Sequence, residues 1–302
     1  MLIKKIIFIS LCTFSFLFSQ NSLLSGLGEI VAEAEEEKAE ESKVLNNAFK
    51  QRMKTQRIAR NTLLIRMDFN STFYQKKLRE DADGFNTKFL NLVNSKEEIA
   101  LVVKKLPEFA KKIESFKTIW STFYENIKQL EQNAKDKKAV QYIIDNNLEI
   151  LEDINYIFSN FIKFHQSNDK LEKSMAHIKT MLFTQVGKPR MYISKIVKER
   201  LLIKQDVDKE ANQKRLQESI KNMDRLMKAL QEGDKQMELP GTEDREILKK
   251  LTISQQLWEE TKVLVAKEKL SKKDVEKLIE KNDKFIDVHT VVVKLSKASF
   301  YN

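Results

Sequence analysis

Cysteine is almost missing from this 302-residue chain, and so are the residues that break helices. The single cysteine, Cys12, lies inside the apolar N-terminal stretch, and the chain has six glycines and three prolines. Without Cys12 no disulfide or thiolate metal site can form, so any core must hold by packing alone. Scarce Gly and Pro mean few turns and long helices. The three histidines, His165, His177 and His289, form no His-x-x-x-His or Glu-x-x-His pair, which argues against a zinc site. No nucleophile elbow, phosphate loop or Gly-rich nucleotide fingerprint occurs, so the chain reads as a non-enzyme that calls for no cofactor. From Glu29 to Asn302 there is no apolar run of membrane-spanning length.

What is present is 41% hydrophobic residues and 32% charged ones, enough for about two domains with cores. Residues 1–19 have the layout of a signal peptide: Lys4 and Lys5, an apolar run from Ile6 to Phe18, and the small residue Ser19. That run is well short of the ~20 residues that span a bilayer. Export with cleavage into the periplasm or medium is the expectation; an uncleaved signal tethering the protein to the inner membrane is the alternative. The net charge of +10 is dispersed along Glu-bearing helical stretches, so no nucleic-acid partner is expected. Residues 20–42 form an acidic helical leader, Glu-rich from Glu29 to Glu41.

An internal repeat organises the remainder. At an offset of 138 residues, Lys50-Gln51-Arg52-Met53 meets Lys188-Pro189-Arg190-Met191 in the shared pattern Lys-x-Arg-Met-x-x-x-(Arg/Lys)-Ile. The same register pairs Leu63 with Leu201, Phe85 with Met223, Phe89 with Met227 and Trp120 with Trp258, the two tryptophans of the chain. Near the end the offset becomes 136, where Asn146 meets Asn282. The fold class expected is all-α: two tandem helical bundles of three to four helices each, residues 43–167 and 168–302, with long first helices.

The periodicity predicts a first helix from about Glu29 to Glu80, a break over Asp81–Gly84 and a short helix over Phe85–Val93. Ser95 then reads as a cap for a helix that Pro107 restarts or kinks, and a last helix runs over Lys137–Phe164. In the second copy it predicts Lys188–Gln231, a loop over Gly233–Gly241, then Glu243–Lys267 and Ser271–Lys297. The boundary His165–Asp169 has no Gly or Pro to turn the chain. The favoured arrangement is therefore an elongated rod with the copies end to end; the alternative sets the two first helices side by side.

Gln51-Arg52-Met53-Lys54-Thr55-Gln56-Arg57-Ile58-Ala59 resembles the motif Gln-Arg-Met-Leu-Ser-Gln-Arg-Ile-Ala of PilJ-type and NarX-type sensor domains, the periplasmic bundles of type IV pilus chemoreceptors and nitrate/nitrite sensor kinases. The second copy keeps Gly187, Arg190, Met191 and Ile196 but has Lys195 for Arg and Ile193-Ser194 for the Ser-Gln pair. The resemblance implies ligand binding on the first helix, with the motif arginine contacting an anion where two equivalent helices meet. The residues agree independently: Arg52, Thr55, Gln56 and Ala59 share one helix face, and a planar guanidinium suits a small oxyanion. Arg190 and Ser194 lie on the matching face of the second copy. The candidate ligand-binding residues are thus Arg52, Thr55, Gln56, Arg190 and Ser194. Met53, Met191, Trp120 and Trp258 read as core.

Two functions follow. The first is a small-anion sensor module for nitrate, nitrite or a similar ligand, working with a membrane chemoreceptor or sensor kinase because no output domain is in the chain, with self-association left open. The second is a structural or adaptor protein of the cell envelope with no small-molecule ligand. The signal-peptide reading has its own test: N-terminal sequencing of the exported protein is expected to start near Gln20 or Asn21. Full-length protein confined to the membrane fraction would reverse it.

Overall fold

The computed structural model describes residues 50–94, 102–104, 106–166 and 173–301, and among these every regular element is helical. The signal, the acidic leader, Ser95 and most of the His165–Asp169 boundary lie outside the described residues. The helices are α1 (residues 50–66), α2 (Ser71–Asn94), α3 (Pro107–Gln132), α4 (Lys137–Gln166), α5 (Lys173–Lys204), α6 (Lys209–Glu232), α7 (Arg245–Val265) and α8 (Lys272–Tyr301). Residues from Leu45 onward form one contact unit. None of the described helices is long and apolar enough to cross a membrane.

The elements recur in the register of the sequence repeat. Helices α2 and α6 are both 24 residues long, and their first residues, Ser71 and Lys209, are in register, as are the first residues of α3 and α7, Pro107 and Arg245. Pro107 restarts a helix at N1, where its missing N–H costs nothing. One expected break was misplaced. Asp81–Gly84 is helical, and the chain instead turns over residues 67–70 and 205–208. Asp68 and Asn70 adopt φ of 54° and 46°, and Asp206 and Asp208 adopt 57° and 38°. Short Asp and Asn side chains tolerate this left-handed backbone best after Gly. The same turns divide the expected helix Lys188–Gln231. Gly84 is needed for another reason: a Cβ there would stand 2.0 Å from the Lys54 ammonium, so the glycine gives Lys54 its passage between helices.

Packing in the first repeat centres on aromatics, with Phe85 and Trp120 ring centroids 4.1 Å apart and Phe89 edge-on to Phe116 at 4.6 Å. In the second repeat Met223 and Met227 stand for the phenylalanines of α2, and Ser254 for Phe116. Both tryptophans are core, at 3% and 0% exposure, and both indole N–H groups find partners in register: Trp120 donates to Asn86 at 2.9 Å and Trp258 to Asp224 at 2.6 Å.

The first helices do not lie end to end. Gln205, just past α5, donates to the Leu63 carbonyl of α1 at 3.2 Å. Arg60 of α1 pairs with Asp283 of α8 at 2.9 Å, and Lys198 of α5 donates to Asn147 of α4 at 3.0 Å. Arg60 and Lys198 are in register, and so are Asp283 and Asn147. Each repeat's first helix therefore reaches the other repeat's last helix at one level, as a pseudo-two-fold requires. Parallel α1 and α5 side by side explain why both are buried nearly all round (51–65 and 185–202) although they carry many polar residues.

Asn147 is the hub of the second latch, since its amide also donates to the Thr55 carbonyl at 2.8 Å. Burial lowers the Lys198 ammonium to about 8, offset in part by Glu199 and reinforced by Lys195. Asn147→Leu leaves that ammonium buried without its acceptor, and the expected loss in a urea unfolding series is about 2–4 kcal/mol. The double variant with Lys198→Met is expected to recover part of it; a double variant that loses the full sum would show the latch to be no coupled unit.

Candidate functional site

The site grows out of the burial of α1 and α5. Arg52 is 8% exposed and Arg190 3%, and burial lowers both guanidinium groups to about 10, so each remains charged at neutral pH. Arg52 donates to Ser159 of α4 at 3.2 Å. Arg190 makes a long contact of 3.4 Å with Thr290 of α8, and its buried Nε has no partner among the described residues. No carboxylate pairs with Arg190 among those residues either.

Two lysines of the repeat motif complete the cluster. Lys50 is held below its usual range by burial first and then by Arg190, Lys88 and Lys294. Lys188 is lowered by burial and then by Arg52, and its ammonium donates to Gln185 at 2.9 Å. Each lysine thus feels the arginine of the other repeat. The motif cations of α1 and α5 lie near enough across the helix pair to repel one another, with Arg52 and Arg190 buried, Lys188 half-buried and Lys50 exposed.

Below this layer the hydroxyls turn to the backbone. Thr55 donates to the Arg52 carbonyl at 2.8 Å, and Ser194 donates to the Arg190 carbonyl at 3.1 Å. Their role in this geometry is to hold the arginine turns of the helix. Gln56 donates its amide to Thr55 at 3.2 Å, while its buried Oε1 accepts from no described group. The five sequence candidates therefore occupy two consecutive layers of one helix pair, with the arginines in the upper one.

Sequence reasoning missed Lys50, Lys188, Ser159, Thr290 and His289. The lysines were visible as the first position of the shared Lys-x-Arg-Met pattern, whereas the residues of α4 and α8 had no motif to mark them. His289 is fully buried and stacks on Phe285 with centroids 5.3 Å apart. Its Nε2–H donates to the Val186 carbonyl at 2.9 Å, which leaves Nδ1 to accept from the Ser254 hydroxyl at 3.4 Å. The space for the imidazole exists because Ser254 replaces Phe116 of the first repeat. Burial and then Arg190 push the ring down to about 3, so it is neutral and adds no fifth charge.

These features define an all-helical bundle protein with two buried arginines, Arg52 and Arg190, on adjacent helices that share a sequence pattern. Residues 184–284 match the family model described as PilJ, Type IV pili methyl-accepting chemotaxis transducer N-term. The matched stretch runs from within α5 into α8 and includes Lys188, Arg190 and Ser194. It supports a PilJ-type domain in the second repeat and a sensory, signal-transducing role for that segment. No curated protein and no solved structure matches the chain.

A folded-state value for His289 below its unfolded one, near 6.5, means the native state binds fewer protons between the two. Stability is therefore fully present above about pH 6.5 and falls as pH drops toward the folded value. Urea unfolding at stepped pH is expected to show wild type losing up to about 1.4 kcal/mol per pH unit more than His289→Gln below pH 6.5. Parallel profiles would mean that the ring is not held neutral.

Proposed function

We propose that the chain is an exported sensory module of two tandem PilJ-type and NarX-like repeats, residues 43–167 and 168–302, which binds one small anion between its own first helices. Nitrate, nitrite or a small carboxylate is the ligand class. Its readout is a separate membrane chemoreceptor or sensor kinase.

The observation that carries this reading is the burial of Arg52 and Arg190 on α1 and α5, with Lys50 near enough to Arg190, and Lys188 to Arg52, to be lowered by them. Buried arginines with lysines at their edge attract an anion that would neutralise them, and guanidinium planes offer forked donors to a flat oxyanion. The covalent duplication supplies both helices within one molecule, so no second subunit is needed to complete the site. An adaptor without a ligand has no use for a buried Arg190 that meets no carboxylate among the described residues, since an apolar residue of similar size would pack at lower cost.

Calorimetric titration of the full chain with nitrate, nitrite and acetate is expected to give one site per chain for at least one of them. Binding is expected to disappear in Arg190→Ala and to weaken as pH rises through the lowered lysine range. At a ligand concentration 100 times the dissociation constant the fold is expected to gain about 2.7 kcal/mol. Absence of saturable heat with all three anions, or half a site per chain, would sink the single-molecule anion site.

A further inference from the structure

The two repeats differ at the end of the bundle where the first helix turns back. In the first repeat α2 is tied to the end of α3: Gln75 donates to the Leu130 and Glu131 carbonyls at 2.7 and 3.2 Å, and Arg79 pairs with Glu131 at 2.6 Å. In the second repeat these ties are gone. Gln213 and Gln217 stand in register with Gln75 and Arg79, and Lys269 with Glu131, so the charge that would face an arginine is reversed. Helix α7 also stops at Val265, five positions short of Leu270, which is in register with the last residue of α3, Gln132. Its terminal carbonyls are bound from the other side, by Arg200 to Val265 at 3.0 Å and to Lys267 at 2.7 Å, and by Lys204 to Leu270 at 2.7 Å.

The consequence is an open groove of about 1080 Å³ between α6 and the end of α7. Ile203, Leu216, Ile220, Val265 and Leu270 give it an apolar floor, and its edges carry six cationic side chains against two acidic ones, Asp206 and Glu268. Lys262 is already engaged by Asp224 and Glu259, each at 2.9 Å, and Lys267 by Asp274 at 2.5 Å. Lys209 lies 3.9 Å from Asp206, and Lys269 has no ion-pair or hydrogen-bond partner among the described residues.

We propose that this groove is a second binding site, distinct from the arginine seam, for an amphiphilic monoanion such as a medium-chain carboxylate. The tail lies on Leu216 and Ile220 and the carboxylate is met by the rim lysines. An apolar floor alone would take any hydrophobic segment, but the cationic excess at the rim selects a ligand with a negative head. At the corresponding place in the first repeat an Arg–Glu pair, Arg79 with Glu131, ties the two helices together.

Titration of the full chain with decanoate below its micelle concentration tests this, with butyrate and decyltrimethylammonium as comparisons. Decanoate is expected to bind saturably at one site, butyrate at least about tenfold more weakly, and the cationic amphiphile not at all. Restoring the first repeat's tie with Gln217→Arg and Lys269→Glu together is expected to weaken decanoate at least about tenfold while the helical circular dichroism is kept. Lys269→Glu alone, at an exposed position, serves the same purpose if the pair does not fold. Arg190→Ala is expected to leave decanoate binding intact, which separates this site from the anion seam. Equal binding of the cationic amphiphile, loss of decanoate binding in Arg190→Ala, no saturable heat, or unaltered binding in the folded Lys269 variants would each overturn the proposal.

Discussion

Burying charged helices at the centre of a bundle is the constraint from which the remaining features follow. A helix enclosed on all sides is normally apolar all round, because each unpaired polar group taken from water is costly. Here α1 and α5 carry Arg52, Thr55, Gln56, Arg60, Asn61 and Arg190, Ser194, Lys198, Glu199, Arg200 into the interior. Nearly every one of these is met by a group from a surrounding helix or by the backbone of its own. Arg60 has Asp283, Lys198 has Asn147, Arg200 has the end of α7, and the hydroxyls have carbonyls one turn back. The level of Arg190, Lys50 and Lys188 is different: there the fold gathers positive charge and brings no carboxylate to it among the described residues.

Pseudo-symmetry makes that arrangement economical. Because α1 and α5 run parallel and in one register, any cation placed on the motif face recurs across the axis, and each latch formed once is formed twice. The copies have since diverged at the partners. The ion pair Arg60–Asp283 corresponds to the lysine–amide pair Lys198–Asn147, and the aromatic stack of Phe85, Phe116 and Trp120 corresponds to methionines, Ser254 and Trp258. Substitution of Phe116 by Ser254 opened the space now held by neutral His289 beside Arg190. The groove at the end of α7 lies where the second repeat has no counterpart of the Arg79–Glu131 tie.

Much of the helical architecture was legible in the chain before any coordinates. Scarce Gly and Pro and the 3.6-residue periodicity sufficed for an all-α reading, and the 138-residue register anticipated that α7 would answer to α3, whereas α2 and α6 were not separated from the helices before them. The turns at residues 67–70 and 205–208 were misread because their signal is a left-handed Asp or Asn, a weaker mark than Gly. Gly84, which looked like a break, is a packing glycine inside a helix. The Lys-x-Arg-Met pattern marked Arg52 and Arg190, which are both buried, and Thr55 and Ser194 lie one turn on with their hydroxyls bound to the backbone.

The sequence by itself determined which residues are alike in the two copies: their periodicity, their motif arginines and lysines, and the tryptophans that anchor each core. Such correspondences are local and linear, and a single chain displays them. Only the tertiary structure decided that the two motif helices lie side by side, because that choice depends on which last helix each first helix meets. The contacts responsible, Arg60 with Asp283 and Lys198 with Asn147, join residues 223 and 51 positions apart and leave no periodic trace. Whether like-charged side chains on separate helices are strangers or neighbours is settled by that packing.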